Sequence, residues 1–300
     1  MEEDFLIYNV KDEDEGLKID NVLKHKMNIS RRMITGLKKN KNIFLNGKEA
    51  FTNEKVHIKD EVSVNLAKHE SQDIEPQNIP IDIAFEDKDI LVINKQPGIV
   101  VHPTKGHPTE TLANGIIYHF RSMGEDTIVR LVNRLDRDTS GLIIVAKNQF
   151  CHQAMAKQFE ANQVEKLYYA VAHGEFDKDE DTISLPIDRP TKESIKREVM
   201  DNGQMAITHY SIVERIEGSA LLRIKLETGK THQIRVHLSH IGHPLYGDTL
   251  YGENDDSELI KRQALHAYML KFKHPRTGED IIINTPIPAD IMELMEKLKK

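Results

Sequence analysis

The chain carries a single cysteine, Cys151, in 300 residues. One thiol forms no intrachain disulfide and builds no zinc or iron–sulfur cluster by itself, which suits a reducing compartment. Apolar runs of membrane-spanning length are missing, and the start, MEEDFLIYNV, is acidic where a secretory signal is basic. A cytoplasmic location with no membrane partner is therefore expected. Also missing are a Walker loop, a dinucleotide glycine fingerprint and a GxSxG arrangement, and Cys151 has no thiol-protease signature around it. Ordinary nucleotide-binding and hydrolase chemistries thus lack local support. Nor is there a general excess of positive charge: 41 Lys and Arg face 48 Asp and Glu, for a net charge of −7. As a bulk property this argues against a polyanionic partner.

The local distribution argues the other way. Between Leu17 and Lys48 stand nine basic residues, Lys18, Lys24, Lys26, Arg31, Arg32, Lys38, Lys39, Lys41 and Lys48, against one acid, Asp20. A local field of that kind attracts phosphate although the whole molecule is acidic. Leu17, Val22, Leu23, Met27, Ile34 and Leu37 suit two short amphipathic helices broken near 28–30, with Ser30 as N-cap of the second. Short strands are expected at Ile43–Leu45 and Val62–Leu66, with a turn at Asn46–Gly47. The bland alternative for these basic residues is a solvated helical face.

The chain divides accordingly: a strand-bearing extension over 1–15, a compact basic module over 16–66, a polar two-proline linker over 67–80 and a large domain over 81–300. In the large domain strands outnumber helices, and no β-α-β alternation or repeat appears. An α+β fold on a central, mainly antiparallel sheet fits best. The stretch 177–203 reads as loop-rich and Thr231–Leu238 as a strand.

LVNRLDRDTSGLIIVAKN, residues 131–148, is the centre of the large domain. Its pattern reads as strand, tight polar loop, strand, with Gly141 permitting a sharp return. Locally it is either a polar hairpin turn or a loop presenting Asp136 rigidly between buried strands. In GKTHQIRVHLSHIGHP, Arg235 and His237 would share one strand face. Arg235 is the candidate partner for Asp136, because an arginine keeps a paired carboxylate ionised and oriented. Tyr168, in EKLYYAVAHG, is either an active-site aromatic or core. His232, His237, His240 and His243 do not converge as metal ligands on a regular strand, so structural hydrogen bonding or polyanion contact is the more economical reading.

NRLDRDTSGLIIVAKN resembles the signature of the RluA/RluD-type RNA pseudouridine synthases. DILVINKQPGIVVHP, EKLYYAVAHG, GKTHQIRVHLSHIGHPLYGDTLYG and RQALHAYMLKFKHP are similar to further motifs of that family, in family order. Residues 16–66 resemble the S4-type RNA-binding domain that often precedes the catalytic domain. The resemblance implies isomerisation of uridine in RNA without a metal or organic cofactor. It implies Asp136 as the essential residue, Arg235 as its basic partner and Tyr168 against the target base. By the same resemblance Leu265 lines the uracil pocket and Arg134 fills the space left by an extruded nucleotide. Many members have His before RLD; here it is Asn133, which hydrogen-bonds but cannot shuttle a proton, and which would touch substrate. Lys24, Lys26, Arg31, Arg32, Lys38, Lys39 and Lys41 would bind RNA. The implied partner is ribosomal RNA of the large subunit, with transfer RNA as the alternative; a monomer is expected. A non-catalytic RNA-binding or ribosome-assembly protein is the competing class.

Overall fold

The computed structural model describes residues 4–66, 72–104 and 106–300. The N-terminal part is a sheet of β1 (Phe5–Asn9), β2 (Ile43–Leu45), β3 (Lys48–Glu49) and β4 (Glu61–Asn65), in the order β1-β4-β2-β3. Asn46 and Gly47 both have positive φ, 51° and 74°, the requirement of a tight hairpin turn. Residues 1–15, expected as a separate extension, include the edge strand of this sheet, because β1 pairs antiparallel with β4 from Phe5 opposite Asn65 to Asn9 opposite Glu61. Packed with it are α1 (Ile19–Asn21), continued by a wider π-helical turn over Val22–Lys26, and α2 (Arg31–Lys39). Ser30 caps α2, its Oγ accepting from Met33 N–H at 3.3 Å.

The large sheet follows. Its strands are β5 (Ile83–Glu86), β6 (Ile90–Lys95), β7 (Arg130–Leu131), β8 (Ser140–Ala146), β9 (Glu165–His173), β10 (Glu180–Asp188), β11 (Glu198–Val199), β12 (Gln204–Ile216), β13 (Ser219–Leu226), β14 (Leu265–Lys273) and β15 (Asp280–Asn284). The order is β11-β10-β12-β13-β9-β14-β8-β6-β5, with β15 on β14 and β7 on β8. Among the described residues only the β8–β14 pair is parallel. The longer helices are α3 (Leu112–Ser122), α4 (Gln149–Glu160), α5 (Gln233–His240) and α6 (Ala289–Leu298). The result is the α+β, mainly antiparallel architecture expected from the strand-rich pattern.

Two expectations for segments fail. The stretch 177–203 contains the nine-residue strand β10, which its acids and Pro186 disguised; only Ile183 and Ile187 are buried there. Residues 231–238 form a helix, α5, instead of a strand. Their apolar–polar alternation misled because every residue from Gln233 to Leu238 is buried. Period two marks a strand only where the polar set faces water.

Side-chain alternation along β6 and β8 divides the core. Ile90, Val92, Leu142 and Ile144 share one cluster with the N-terminal sheet, α2 and α4. Leu91, Ile93, Ile143 and Val145 share the other with α3, Leu135, Tyr168 and Leu265. The basic module thus packs on the face opposite that carrying Tyr168 and Leu265. Arg276 rivets the two parts, reaching Asp89 at 2.6 Å, Asp4 at 2.8 Å and the Phe5 carbonyl at 2.8 Å. Of the expected linker, 67–71 lie outside the described residues, whereas 72–80 are packed: Ile74 is buried, and the Glu75 carbonyl accepts from Asn114 at 2.7 Å.

At the β8–β14 contact, His266 is fully buried between Ser140 Oγ and Thr285 Oγ1, each at 2.9 Å. Burial, reinforced by Arg262, lowers its pKa to about 4 from an ordinary 6.5. The unfolded chain therefore takes a proton over that interval while the folded chain does not. Stability should fall as pH falls from 6.5 to about 4, by up to about 3 kcal/mol from this group. Urea unfolding across that range should show a steeper loss for the wild type than for His266→Gln.

Candidate active site

The polar loop after β7 is immobilised from several sides. The Asp136 carbonyl accepts from Thr139 N–H at 3.2 Å, and the Arg137 carbonyl from Gly98 N–H at 3.0 Å. Lys95 Nζ donates to the same Arg137 carbonyl at 2.7 Å, and also to Gln96 and Ile99 carbonyls. Lys95 is wholly buried; desolvation pulls its pKa down to about 7 against the attraction of Asp138. Gln263 donates to Thr139 Oγ1 at 3.1 Å, and Arg262 to the Asp138 carbonyl at 3.3 Å. Gly141 lies inside β8, not at a turn. At φ 118° it lets β8 approach β14, where a Cβ would sit 2.3 Å from the Ala267 carbonyl oxygen. Glycine is thus required for strand contact as well as for its backbone angles.

Asp136 and Arg235 do meet. Arg235 Nη1 donates to Asp136 Oδ2 at 3.0 Å. Its Nε and Nη2 grip Asp248 in a bidentate pair at 2.7 and 2.8 Å, and its guanidinium lies 5.0 Å from the centroid of the Tyr251 ring. Arg235 is buried, which by itself disfavours its charge, but the Asp248 hydrogen bonds and both carboxylates outweigh that cost and raise its pKa. Asp248 Oδ1 in turn accepts from the backbone N–H groups of Leu250 and Tyr251, each at 3.1 Å. The planar fork of arginine can satisfy two carboxylates on two edges, which lysine cannot.

Tyr168 lies on β9 opposite Ala267 of β14, and Leu265 lies opposite Ala170. Diagonal positions on one face bring both side chains into the cluster that holds Leu135. Burial, and then the Asp136 charge, raise the Tyr168 phenol. Arg134 is exposed, with no ion pair among the described residues. Asn133, expected to touch substrate, is half-buried and bonds to the neighbouring strand. Its amide donates to the Leu142 carbonyl at 3.3 Å and accepts from Ile144 N–H at 2.7 Å. One amide N–H and one acceptor site of its oxygen are used on β8, so Asn133 stitches the sheet while keeping a second N–H.

The basic residues divide in two. Lys24 pairs with Asp20; Lys26 reaches Glu13 and Asp14, each at 2.7 Å; Lys41 lies 3.5 Å from Glu49. These cations are offset by acids. Arg31, Arg32, Lys38 and Lys39 are exposed and, at seven-residue spacing, share one side of α2, opposite buried Met33, Ile34 and Leu37.

The histidines serve separate posts. His237 bonds Thr208 at 2.9 Å and the Leu185 carbonyl at 3.1 Å, and His243 bonds the His173 carbonyl at 2.9 Å. Among the described residues no group of three or more His, Cys, Asp or Glu could hold a metal ion. Sequence reasoning missed Asp248, Tyr251, Lys95 and His232 as parts of this centre. Asp248 and Tyr251 stand in the quoted GDTLYG, but on local pattern that stretch reads only as a turn entering an acidic loop.

Comparison with known proteins agrees with this architecture. Residues 89–240 match the family model described as RNA pseudouridylate synthase, and residues 6–62 that of the RluD ribosomal pseudouridine synthase N-terminal domain. The chain is 40% identical over 293 residues to the Uncharacterized RNA pseudouridine synthase YlyB of Bacillus subtilis (strain 168), covering 96% of each. It is 36% identical over 308 residues to Ribosomal large subunit pseudouridine synthase D of Escherichia coli O6:H1, covering 98% of this chain and 94% of that one. Among solved structures, Human RNA Pseudouridylate Synthase Domain Containing 1 superposes with a TM-score of 0.58 at 28% identity, over 71% of this chain and 86% of that one. With one family model spanning half the chain and full-length relatives at this identity, the protein belongs to the RNA pseudouridylate synthase family, and is an isomerase that converts uridine to pseudouridine in RNA.

Proposed function

We propose that the chain modifies uridines of large-subunit ribosomal RNA, with Asp136 as the residue that acts on the ribose. The observation that carries the assignment is the Asp136–Arg235 contact at 3.0 Å, backed by Asp248. The uracil C–N bond must break, the base must turn while captive, and C5 must join C1′ before it gives up its proton. A carboxylate serves either as nucleophile at C1′ or as acceptor of a sugar proton on the way to a glycal, and both need it rigidly placed. A uridine stacked in RNA is out of reach, so it is flipped into the pocket of Tyr168 and Leu265, with Arg134 filling the vacated space. The raised Tyr168 phenol stays protonated at neutral pH, which favours stacking and leaves the C5 proton to Asp136. Arg31, Arg32, Lys38 and Lys39 bind phosphates away from the reacting base.

The ribosomal substrate rests on the relatives named for the large subunit and on the match of the N-terminal module. Among the described residues no helix is long and apolar enough to cross a membrane; we read the enzyme as a cytoplasmic monomer. Pseudouridine-specific chemical mapping of total RNA from a deletion strain tests the substrate. Loss of one or more large-subunit sites is expected, restored by the purified protein. Loss confined to transfer RNA would overturn the ribosomal reading.

A further inference from the structure

His232 stands at the mouth of the same centre, in a backbone conformation that few side chains adopt. Its φ is 59° and its ψ 17°, left-handed, at the residue just before α5. Such a conformation costs about 1 kcal/mol or more at a residue other than glycine or asparagine. Gln233 enforces it. The Gln233 side chain accepts from Lys230 N–H at 2.9 Å and from Thr228 Oγ1 at 2.7 Å, and donates to the Ile207 carbonyl at 2.9 Å. The strained turn aims the imidazole at Asp136.

Tyr251 fixes the tautomer. Its hydroxyl oxygen accepts from the Arg197 backbone N–H at 2.8 Å, and His232 Nδ1 lies 2.8 Å from the same oxygen. The phenol has one proton, and among the described residues Nδ1 is the acceptor within reach. Nδ1 is then an acceptor, and the ring proton of the neutral imidazole sits on Nε2. Nε2 is 3.8 Å from Asp136 Oδ2, the oxygen that Arg235 already holds at 3.0 Å. No hydrogen bond from the described residues reaches Oδ1. A distance of 3.8 Å is too long for a hydrogen bond but closes with a small shift, as hydrogen bonds of unliganded sites often do when substrate enters.

We propose that His232 is a further positioning residue of the reaction: its Nε2–H, oriented by Tyr251, shares Asp136 Oδ2 with Arg235 and leaves Oδ1 alone to face the ribose. This rests on Asp136 being the acting carboxylate. A neutral donor suits the post. A second cation beside Arg235 would weaken the negative charge that the ribose chemistry uses, and a proton on Nδ1 would oppose the Tyr251 hydroxyl. The charged groups facing the ring are Asp136 from the loop, Arg235 from α5, Asp248 beyond α5 and Arg197 before β11. Burial comes first among the influences, and with the two arginines it holds the imidazole below its ordinary pKa against the two carboxylates.

The test is single-turnover isomerisation of unmodified total RNA from the deletion strain, between pH 5 and 9, with RNA affinity measured in parallel. His232→Ala should be about 10- to 100-fold slower at saturating RNA, with affinity within about two-fold. His232→Gln, whose amide nitrogen reaches the place of Nε2 and keeps an N–H donor there, should recover most of that loss. Tyr251→Phe should move the acid limb of the rate profile to higher pH, because Nδ1 then becomes free to take a proton. A wild-type rate in His232→Ala, equal loss in the Ala and Gln variants, or a defect confined to affinity would each overturn the proposal. Asp136→Asn in the same assay separates the two failures. If it is active, the assignment of Asp136 falls; if it is inactive while His232→Ala is unimpaired, only the role of His232 falls.

Discussion

Asp136→Asn is expected to lower the rate of uridine isomerisation by about 10⁴-fold or more while RNA affinity stays within about two-fold. The substitution keeps the shape of the side chain and removes the charge, the nucleophilicity and the basicity together. Little else should change, because the loop is held through its backbone. The Arg137 carbonyl is tied by Lys95 and Gly98, and Thr139 by Gln263. Arg235 also keeps its bidentate partner Asp248. The readouts are single-turnover conversion, scored by pseudouridine-specific chemistry, and equilibrium binding of the same RNA. A variant that turned over within about ten-fold of wild type would remove Asp136 from the reaction.

The second large effect is expected at Asp248, which touches no substrate in this reading. Asp248→Asn should cost about 3–5 kcal/mol of stability, because it leaves the buried Arg235 guanidinium without its bidentate counter-charge. The amide NH₂ of asparagine would also oppose a guanidinium N–H where a carboxylate oxygen now accepts. Freed from Asp248, Arg235 recentres on Asp136 and draws the carboxylate off its position. A displacement of about 1 Å costs about 100-fold in a reaction that depends on placement. Urea unfolding reads the first effect and single-turnover rate, at a temperature where the variant is folded, the second. Reduced stability with an unchanged rate would show that Asp248 supports the fold without orienting Asp136.

Much of the fold was legible because most elements bury one face. The capped α2 with its apolar Met33, Ile34 and Leu37, the Asn46–Gly47 turn and the strands β2 and β4 follow from patterns of side chains a few residues apart. Where burial is nearly complete or nearly absent, that signal disappears. Helix α5 is buried from Gln233 to Leu238 and its alternation reads as a strand, while β10 buries only Ile183 and Ile187 and its sequence reads as loop.

The candidate site divides along the same line. The residue types at Asp136, Tyr168, Arg235 and Leu265 were visible through motif resemblance, since each motif is a short contiguous stretch. Beyond the Asp136–Arg235 pair, their partners Asp248, Tyr251 and His232 were not identified in that way. That Asn133 bonds the Leu142 and Ile144 backbone across the strand is not stated by its motif. Nor does sequence show that, of the basic residues, Lys24, Lys26 and Lys41 each have an acid beside them. The sequence by itself determined the reaction class, the α+β architecture and the loop that carries Asp136, because local periodicity and contiguous motifs encode them. Only the tertiary structure decided that Asp136 is held by Arg235 and Asp248, residues 99 and 112 positions away in the chain. It alone also brought His232 towards the same carboxylate, with Tyr251 behind it. Charge pairing and hydrogen-bond direction act through space, and no spacing along a chain states which distant groups the fold will bring within 4 Å.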